Sequence, residues 1–335
     1  MRIGLDVMGG DFAPEAIVKG ACLAVDELSS SDELVLFGKQ DAIEKILAEQ
    51  GVAKEKFVIV NGSILMHDQP IKAFTAKPDS SLSVGFSYLK KGQIDTFASA
   101  GNSGAMLVGT MYSVGLMEGV LRPCLAALIP KAKEGVTVFL DVGVDTDTKP
   151  ETLYQFGLLG SCYAECALGI ENPRVALTNI GEEDGKGNLQ SKAAFQLMKN
   201  STYNFVGNAE PVEIYKDNVD VMVCDGFVGN LLMKNIEAFA RIIAKRGMVD
   251  EFIKRFNYEI YGGLPLLGAN GVVIVGHGVS NEKAIKSMVL QSKKIKGSVL
   301  WGLAIGAALY YILGLTVGGF YENLNLSVDM NVGDA

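Results

Sequence analysis

The sequence of 335 residues contains only two histidines, His67 and His277, and one tryptophan. Cys162 and Cys166 are spaced as neighbours on one helix face, but the two histidines supply no matching pair of ligands, so no metal site is predicted. The cysteines are odd in number, and we expect reduced core thiols in a cytoplasmic protein rather than disulfides. The five are Cys22, Cys124, Cys162, Cys166 and Cys224.

Basic residues are also few. Lys and Arg number 30 against 38 Asp and Glu, which gives a net charge of −8 and a pI near 5.0. This balance argues against nucleic acid as the main partner, although a local basic patch can still bind an acidic protein. The start, "MRIGLDVMGGD", has acids and glycines where a secretion signal has an apolar core, so no signal is expected.

Several catalytic motifs are missing. The chain has no GxSxG, and no cysteine in a polar, glycine-rich turn, so covalent catalysis is not predicted. It also has neither a phosphate loop ending in GK[ST] nor a GxGxxG dinucleotide fingerprint. A nicotinamide dehydrogenase is therefore the weakest contender among enzymes.

Short apolar runs alternate with longer segments in which apolar residues recur at helical spacing. Examples of the helical segments are Ala13–Leu28, Ala42–Glu49 and Glu151–Ala167. This alternation predicts an α/β protein, a Rossmann-like, doubly wound α/β/α sandwich. The predicted strands are Ile3–Asp6, Leu34–Gly38, Phe57–Asn61, Thr96–Ser99, Val136–Asp141, Val175–Asn179, Val219–Cys224 and Val272–Val275.

Glycine-rich loops follow four of these strands. They are "DVMGGD" (Asp6–Asp11), "SAGNSGA" (Ser99–Ala105), "NIGEEDGKGN" (Asn179–Asn188) and "DGFVGN" (Asp225–Asn230). Ligands of doubly wound folds bind beyond the carboxyl ends of the strands, and amides at a helix start can bind an anion. We therefore expect the loops to meet at one phosphate-binding cleft, the alternative for each being a tight turn that caps a helix.

Two residues in such loops stand out. Lys186 lies between two glycines, where a lone lysine can hold an anion, and His277 lies between glycines directly after a valine-rich strand. His67, in the polar stretch "LMHDQP", is expected at the surface.

Residues 299–320, "VLWGLAIGAALYYILGLTVGGF", carry no charge and are long enough to cross a bilayer as a helix. Lysines precede the segment and acids follow it, which would place the N-terminal body in the cytoplasm. A buried helix or strand pair that completes the core or a dimer interface is the alternative. We accordingly divide the chain into a catalytic domain, 1–296, and a C-terminal segment, 297–335, as a possible anchor.

Taken in order, several short motifs resemble the acyl carrier protein:phosphate acyltransferase family of bacterial phospholipid synthesis over roughly residues 1–292. The resemblance implies transfer of a long fatty acyl group from acyl carrier protein to inorganic phosphate, a fold similar to phosphotransacetylases and isocitrate-type dehydrogenases, and a homodimer. No cofactor is expected. The motifs are "DVMGGD", "DSS", "SAGNSGA", "RPCLA", "LDVG", "KPE", "NPRVALTNIGEEDGKGN", "NFVGN", "DGFVGN", "YGGLPLLG" and "HG".

Phosphate is itself a nucleophile, so such an enzyme needs orientation and oxyanion stabilisation rather than a protein nucleophile. We expect Lys186 to orient phosphate or stabilise charge, Asn230 to donate a hydrogen bond, and His277 to protonate the departing thiolate or line the site. The expected substrate-binding residues are Asp6, Gly9, Gly10, Asp11, Gly101, Asn102, Ser103, Gly104, Asn179, Gly187, Asp225 and Gly226.

The sequence departs from the family pattern at Asp145, where asparagine is usual and a carboxylate would repel phosphate. Residues 231–256 mix basic and apolar side chains and suit an amphipathic surface helix pair, for membrane contact or for dimerisation. We expect a protein at the cytoplasmic face of the membrane, peripheral or tail-anchored. A phosphate acetyl- or butyryltransferase using coenzyme A, and a non-catalytic membrane-tethered scaffold, are the alternative functions.

Overall fold

The computed structural model describes residues 1–63 and 77–298, and these form an α/β protein. Its strands are β1 (Arg2–Asp6), β2 (Glu33–Gly38), β3 (Phe57–Asn61), β4 (Thr96–Ser99), β5 (Cys124–Pro130), β6 (Val136–Leu140), β7 (Val175–Thr178), β8 (Phe205–Ala209), β9 (Val221–Val223), β10 (Gly263–Leu267) and β11 (Val272–Gly276). All eight predicted strands are present within one or two residues. β5, β8 and β10 were not predicted.

The helices in chain order are α1 (Glu15–Val25), α2 (Gln40–Glu49), α3 (Ser81–Lys90), α4 (Ser103–Gly109), α5 (Pro150–Leu168), α6 (Leu189–Lys199), α7 (Gly226–Lys245), α8 (Glu251–Lys254) and α9 (Tyr258–Tyr261). Residues 282–298 are also helical. None of the helices in the two described ranges has the length and apolarity that a membrane span requires. The candidate span at 299–320 and His67 both lie outside the described residues.

The eleven strands form one sheet in the order β3-β2-β1-β4-β11-β10-β5-β6-β9-β7-β8. Its two faces carry separate cores. One core contains Ile17 of α1 and Phe156 of α5, and the other contains Phe86 of α3, with Met233 of α7 packed against it. Helices thus cover both faces of the sheet, which confirms the α/β/α sandwich.

Strand directions divide the sheet into two parallel blocks. β3, β2, β1, β4 and β11 run one way, and β6, β9, β7 and β8 run the opposite way. The reversal arises at β10 and β5, because β10 is antiparallel to both β11 and β5, and β5 is antiparallel to β6. The carboxyl ends of the two blocks therefore lie at opposite edges of the sheet, an arrangement that the sequence did not predict.

Candidate active site

The loops after β1, β4 and β11 form the first group. Asp6, at the end of β1, accepts hydrogen bonds from the Ser99 hydroxyl at 2.6 Å and from the Met8 amide at 3.0 Å. The Asp11 amide donates to the carbonyl oxygen of Gly278 at 2.8 Å, which joins this loop to the one that carries His277.

Asp6 itself is only 2 % exposed. Burial raises the pKa of its carboxyl group, against the hydrogen bonds from Ser81, Ser99 and Met8, which lower it. Gly9 packs on this carboxylate so closely that an added Cβ would lie 2.5 Å from Oδ2. Asp6 therefore holds the loop in shape, and its side chain does not face a ligand-accessible space.

The first helical turn of α4 follows β4. The Asn102 side chain caps this helix by accepting from the Ala105 amide at 3.0 Å, which is a structural use of a residue predicted to bind substrate. Ser103, the next residue, lines a cavity.

His277 is exposed at the end of β11. Its Nδ1 accepts a hydrogen bond from the Val279 amide at 3.3 Å, which favours the tautomer with the ring proton on Nε2. The Tyr258 ring lies beside it, with the two ring centroids 6.2 Å apart. The His277 ring therefore has Tyr258 on one side and presents its Nε2–H group.

The loops after β6, β7 and β9 form the second group. Asp141 is buried, and its carboxylate accepts from the amides of Leu125 and Asp145 at 2.9 and 2.7 Å, and from Val144 at 2.9 Å. Burial raises the pKa of Asp141, and the amides oppose that rise. The carbonyl oxygen of Asp145 accepts from the Gly226 amide at 2.8 Å, so Asp145 anchors the start of α7 through its backbone.

Asp225 caps α7 by accepting from the amides of Phe227 and Val228. One turn into the helix, Gly229 lies so close to Asp141 that an added Cβ would be 1.8 Å from its carbonyl oxygen. This contact fixes the position of Asn230, whose Nδ2 donates to the carbonyl oxygen of Val142 at 3.2 Å. Asp225 thus positions the helix, while Asn230 presents its amide group.

The loop after β7 is held by Asn179, whose Nδ2 lies 3.2 Å from the Lys186 carbonyl oxygen and 3.0 Å from Asn208 Oδ1. Gly187 has a φ of +93°, and an added Cβ there would lie 2.1 Å from the Ser191 hydroxyl, so a tight turn requires the glycine. The Lys186 side chain is 48 % exposed, and its Nζ lies 3.7 Å from Glu183.

A cavity of about 360 Å³ lies beneath α7, against β5, β10 and β11. Its polar lining residues include Ser103, Asn230, Lys234, Glu237, Tyr258, Tyr261 and His277. Its apolar lining comes from Leu125, Ala127, Ile129, Met233, Ile236, Phe256 and Leu264. The cavity therefore joins a largely apolar interior to donors supplied by both loop groups, despite the opposite directions of the two blocks.

Of the predicted site residues, Ser103, Asn230 and His277 line this cavity. Lys186 does not, nor do Gly9, Gly10, Asp11, Gly101, Gly104, Gly187 and Gly226. Lys234 and Tyr258 were not assigned to a site from the sequence, although Lys234 follows Asn230 by four residues and that spacing puts both on one helix face.

No cysteine is among the residues that line the cavity, and no group of three or more His, Cys, Asp or Glu in residues 1–63 and 77–298 could hold a metal ion. Burial raises the pKa of Cys124 and Cys224 well above its ordinary value. These thiols are poor nucleophiles, since the thiolate is the reactive form.

Similarity to known proteins agrees with this architecture. A phosphotransacetylase from Streptococcus pyogenes matches with a TM-score of 0.64 at 18 % identity, over 88 % of this chain and 94 % of that one. The EutD phosphotransacetylase from Staphylococcus aureus matches with a TM-score of 0.60 at 12 % identity, with the same coverage. At such identities the likeness establishes the fold, which is that of the Rossmann-like α/β proteins.

Sequence similarity is closer. Residues 1–298 match the model of the fatty acid synthesis protein family. A phosphate acyltransferase of Thermoanaerobacterium thermosaccharolyticum is 40 % identical over 315 residues, 88 % of this chain and 93 % of that protein. One of Desulforudis audaxviator is 42 % identical over 308 residues, 86 % of this chain and 90 % of the relative. The chain is therefore an enzyme of acyl transfer and belongs to the phosphate acyltransferase family.

Proposed function

We propose that this enzyme transfers a long-chain fatty acyl group from acyl carrier protein to inorganic phosphate, giving acyl phosphate for phospholipid synthesis. The observation that carries the proposal is the cavity beneath α7, where Ser103 at the start of α4, Asn230 one turn into α7 and His277 after β11 surround a space with an apolar lining. An apolar lining suits a fatty acyl chain, and convergent donors suit the charge that develops on the reacting groups.

The reaction needs no covalent enzyme intermediate. A phosphate oxygen attacks the thioester carbonyl carbon, the carbonyl oxygen becomes an oxyanion, and the carbon–sulfur bond then breaks. Nε2–H of His277 donates a hydrogen bond to the departing thiolate, which takes up the proton that the attacking hydrogen phosphate loses, so that acyl phosphate and a free thiol are formed. Holding both reactants at attack distance supplies part of the acceleration.

Asn230 is the proposed donor to the oxyanion. One of its two Nδ2 hydrogens is used on the Val142 carbonyl oxygen, and the other is available to substrate. The bond to Val142 also orients the amide group before substrate binds. A preorganised donor of this kind contributes about 3–4 kcal/mol to transition-state stabilisation.

Lys186 keeps its proposed role as a cation that orients phosphate or stabilises charge, acting from the loop after β7. Lys186 does not line the cavity, so its role in the reaction needs a test of its own. The substitution Lys186→Ala provides this test. We expect a loss of turnover of at least about tenfold, and little change in melting temperature, since the side chain is half exposed. Unchanged turnover would remove Lys186 from the reaction.

We further propose a homodimer at the cytoplasmic face of the membrane. The outer face of α7 carries exposed apolar side chains, with Leu231 at 54 %, Phe239 at 63 % and Ile242 at 53 %. Basic residues, among them Arg241 and Lys245, accompany them on the same helix. The variant Phe239→Glu tests whether this face serves dimerisation or membrane contact. Light scattering measures loss of the dimer, and vesicle flotation measures loss of membrane binding.

The activity is tested by measuring acyl-phosphate formation from palmitoyl-acyl carrier protein, palmitoyl-coenzyme A, butyryl-coenzyme A and acetyl-coenzyme A at equal concentrations. We expect the carrier-protein substrate to give the highest kcat/KM. Exclusive use of acetyl- or butyryl-coenzyme A would establish the short-chain phosphate acyltransferase instead. If no donor gives acyl phosphate although the protein is folded, the scaffold function is favoured.

A further inference from the structure

We infer that Lys234 is the side chain that binds inorganic phosphate in the cavity beneath α7. The inference deepens the proposed function and rests on phosphate being the acyl acceptor. Lys234 was recognised in the sequence only as one of several basic residues of an amphipathic surface helix.

The first argument is the composition of the cavity. Among its lining residues within the described part of the chain, Lys234 is the one lysine or arginine. A phosphate dianion that leaves water for a largely apolar space needs a cation close by, because burial of unpaired charge is costly. The chain as a whole, at −8, repels a dianion, so the attraction must be local.

The second argument is the position of Lys234 on α7. It lies one helical turn after Asn230, and residues four apart share a helix face, so an ammonium group and an amide group address the same space. The beginning of this helix is fixed by the Asp225 cap and by the close contact of Gly229 with Asp141. The base of the Lys234 side chain is therefore held in place while its long stem can reach the ligand.

The third argument is that the charge is available. No carboxylate of the described residues lies within ion-pair distance of Lys234. Glu237 lines the same cavity, but its carboxylate pairs with Arg241 at 3.9 Å, which offsets its charge. Lys186 differs in both respects, since its Nζ lies 3.7 Å from Glu183 and its side chain does not line the cavity. A lysine without a partner in a cavity is suited to an anionic ligand.

The test uses the full chain with Lys234→Gln, Lys234→Arg and the control Lys90→Gln, which removes an exposed helical lysine on α3, outside the cavity. Acyl-phosphate formation is measured against phosphate concentration at saturating acyl donor. We expect Lys234→Gln to raise the KM for phosphate roughly tenfold to a hundredfold, as for loss of a charged hydrogen bond, with less than about a twofold change in KM for the donor. Lys234→Arg is expected to recover part of the loss, and Lys90→Gln to match the parent.

A second readout does not depend on turnover. Inorganic phosphate is titrated into each variant while thermal unfolding is followed, because a ligand that binds the folded state raises the melting temperature. We expect the rise to be lost in Lys234→Gln and kept in Lys90→Gln. An equal rise in Lys234→Gln, or an unchanged KM for phosphate, would overturn the inference. Failure of the proposed activity shows separately, as an absence of acyl phosphate in the parent protein.

Discussion

The side-chain amide of Asn230 donates to the carbonyl oxygen of Val142 at 3.2 Å, across the boundary between α7 and the loop after β6. The bond orients a potential oxyanion donor before any substrate arrives, and it requires the neighbouring Gly143 to have no side chain. An added Cβ at Gly143 would lie 2.6 Å from Asn230 Nδ2.

We therefore predict that Gly143→Ala lowers kcat/KM roughly a hundredfold, comparable to loss of one oxyanion donor. Gly143 also has a φ of +136°, so the substitution strains the backbone. Gly169→Ala is the control for strain alone, since Gly169 has a φ of +73° and nothing within 4 Å of an added Cβ. We expect the control to lose about 1 kcal/mol of unfolding free energy and no activity. Equal losses of activity in Gly143→Ala and Gly169→Ala would contradict the close approach of Gly143 to Asn230 as the cause.

Replacement of His277 by Ala is predicted to lower kcat by about tenfold to a hundredfold with acyl carrier protein as donor, because the departing thiolate loses its hydrogen-bond donor. The thiolate of a more acidic thiol needs less stabilisation to leave, so the loss should shrink with an aryl thioester. Steady-state rates with both donors check this prediction. The same loss with both donors would indicate that His277 only lines the site.

The buried ion pair of Lys131 and Asp220 is predicted to stabilise the fold away from the cavity. Their charged atoms lie 2.8 Å apart, with side-chain exposures of 7 % and 9 %, and Arg174 also bonds to Asp220. Asp220→Asn leaves Lys131 buried without a counter-charge, which should cost about 3–5 kcal/mol in chemical denaturation. The double variant Lys131→Met/Asp220→Leu, which removes both charges, should recover most of that loss.

The same pair predicts a pH dependence. Burial acts to raise the pKa of Asp220, but the hydrogen bonds from Arg174 and Lys131 outweigh it and hold the pKa well below the ordinary value. A depressed carboxyl pKa contributes stability above the unfolded value of about 3.9, and this contribution is lost as pH falls further. The difference in melting temperature between the parent and Asp220→Asn should therefore be large at pH 7 and smaller at pH 3. A constant difference would contradict the assignment.

Thiol reagents are predicted not to inhibit the enzyme. Burial raises the pKa of all five cysteines, that of Cys162 to about 12, so the thiols are protonated at neutral pH and react slowly. Treatment with iodoacetamide at pH 7 should change kcat by less than about twofold.

Radiolabelled acyl groups should also be absent from the denatured protein after turnover, and their retention would establish a covalent intermediate.

Local sequence was sufficient to predict the strands of the two parallel blocks, because continuous apolar runs such as those of β1 and β6 are typical of strands buried on both faces. The three strands that were not predicted carry residues that disfavour strands. β10 contains Pro265, β5 ends at Pro130, and β8 contains Gly207 with a φ of +106°. Their pairing partners, rather than their own composition, hold them in the sheet.

The candidate site was also predictable in part from local sequence. His277, Asn230 and Ser103 follow strands in glycine-rich loops, which marks them as ligand-facing. Asp6, Asn102 and Asp225 share that position, yet their side chains hydrogen-bond to their own loops or helices. Polar residues at a strand end serve either purpose, and only the direction of the side chain distinguishes them.

By itself the sequence determined the α/β class, the glycine loops, the absence of a reactive cysteine motif and the resemblance to phosphate acyltransferases, since each depends on neighbouring residues or short motifs. Tertiary structure decided that the two blocks point in opposite directions and that α7 covers β5 and β10. Those features follow from hydrogen bonds between strands far apart in the chain, as in the pairing of Leu266 with Leu125. For that reason Lys234 joins Ser103 and His277 around one cavity, while Lys186, the most conspicuous lysine in the sequence, lies outside it.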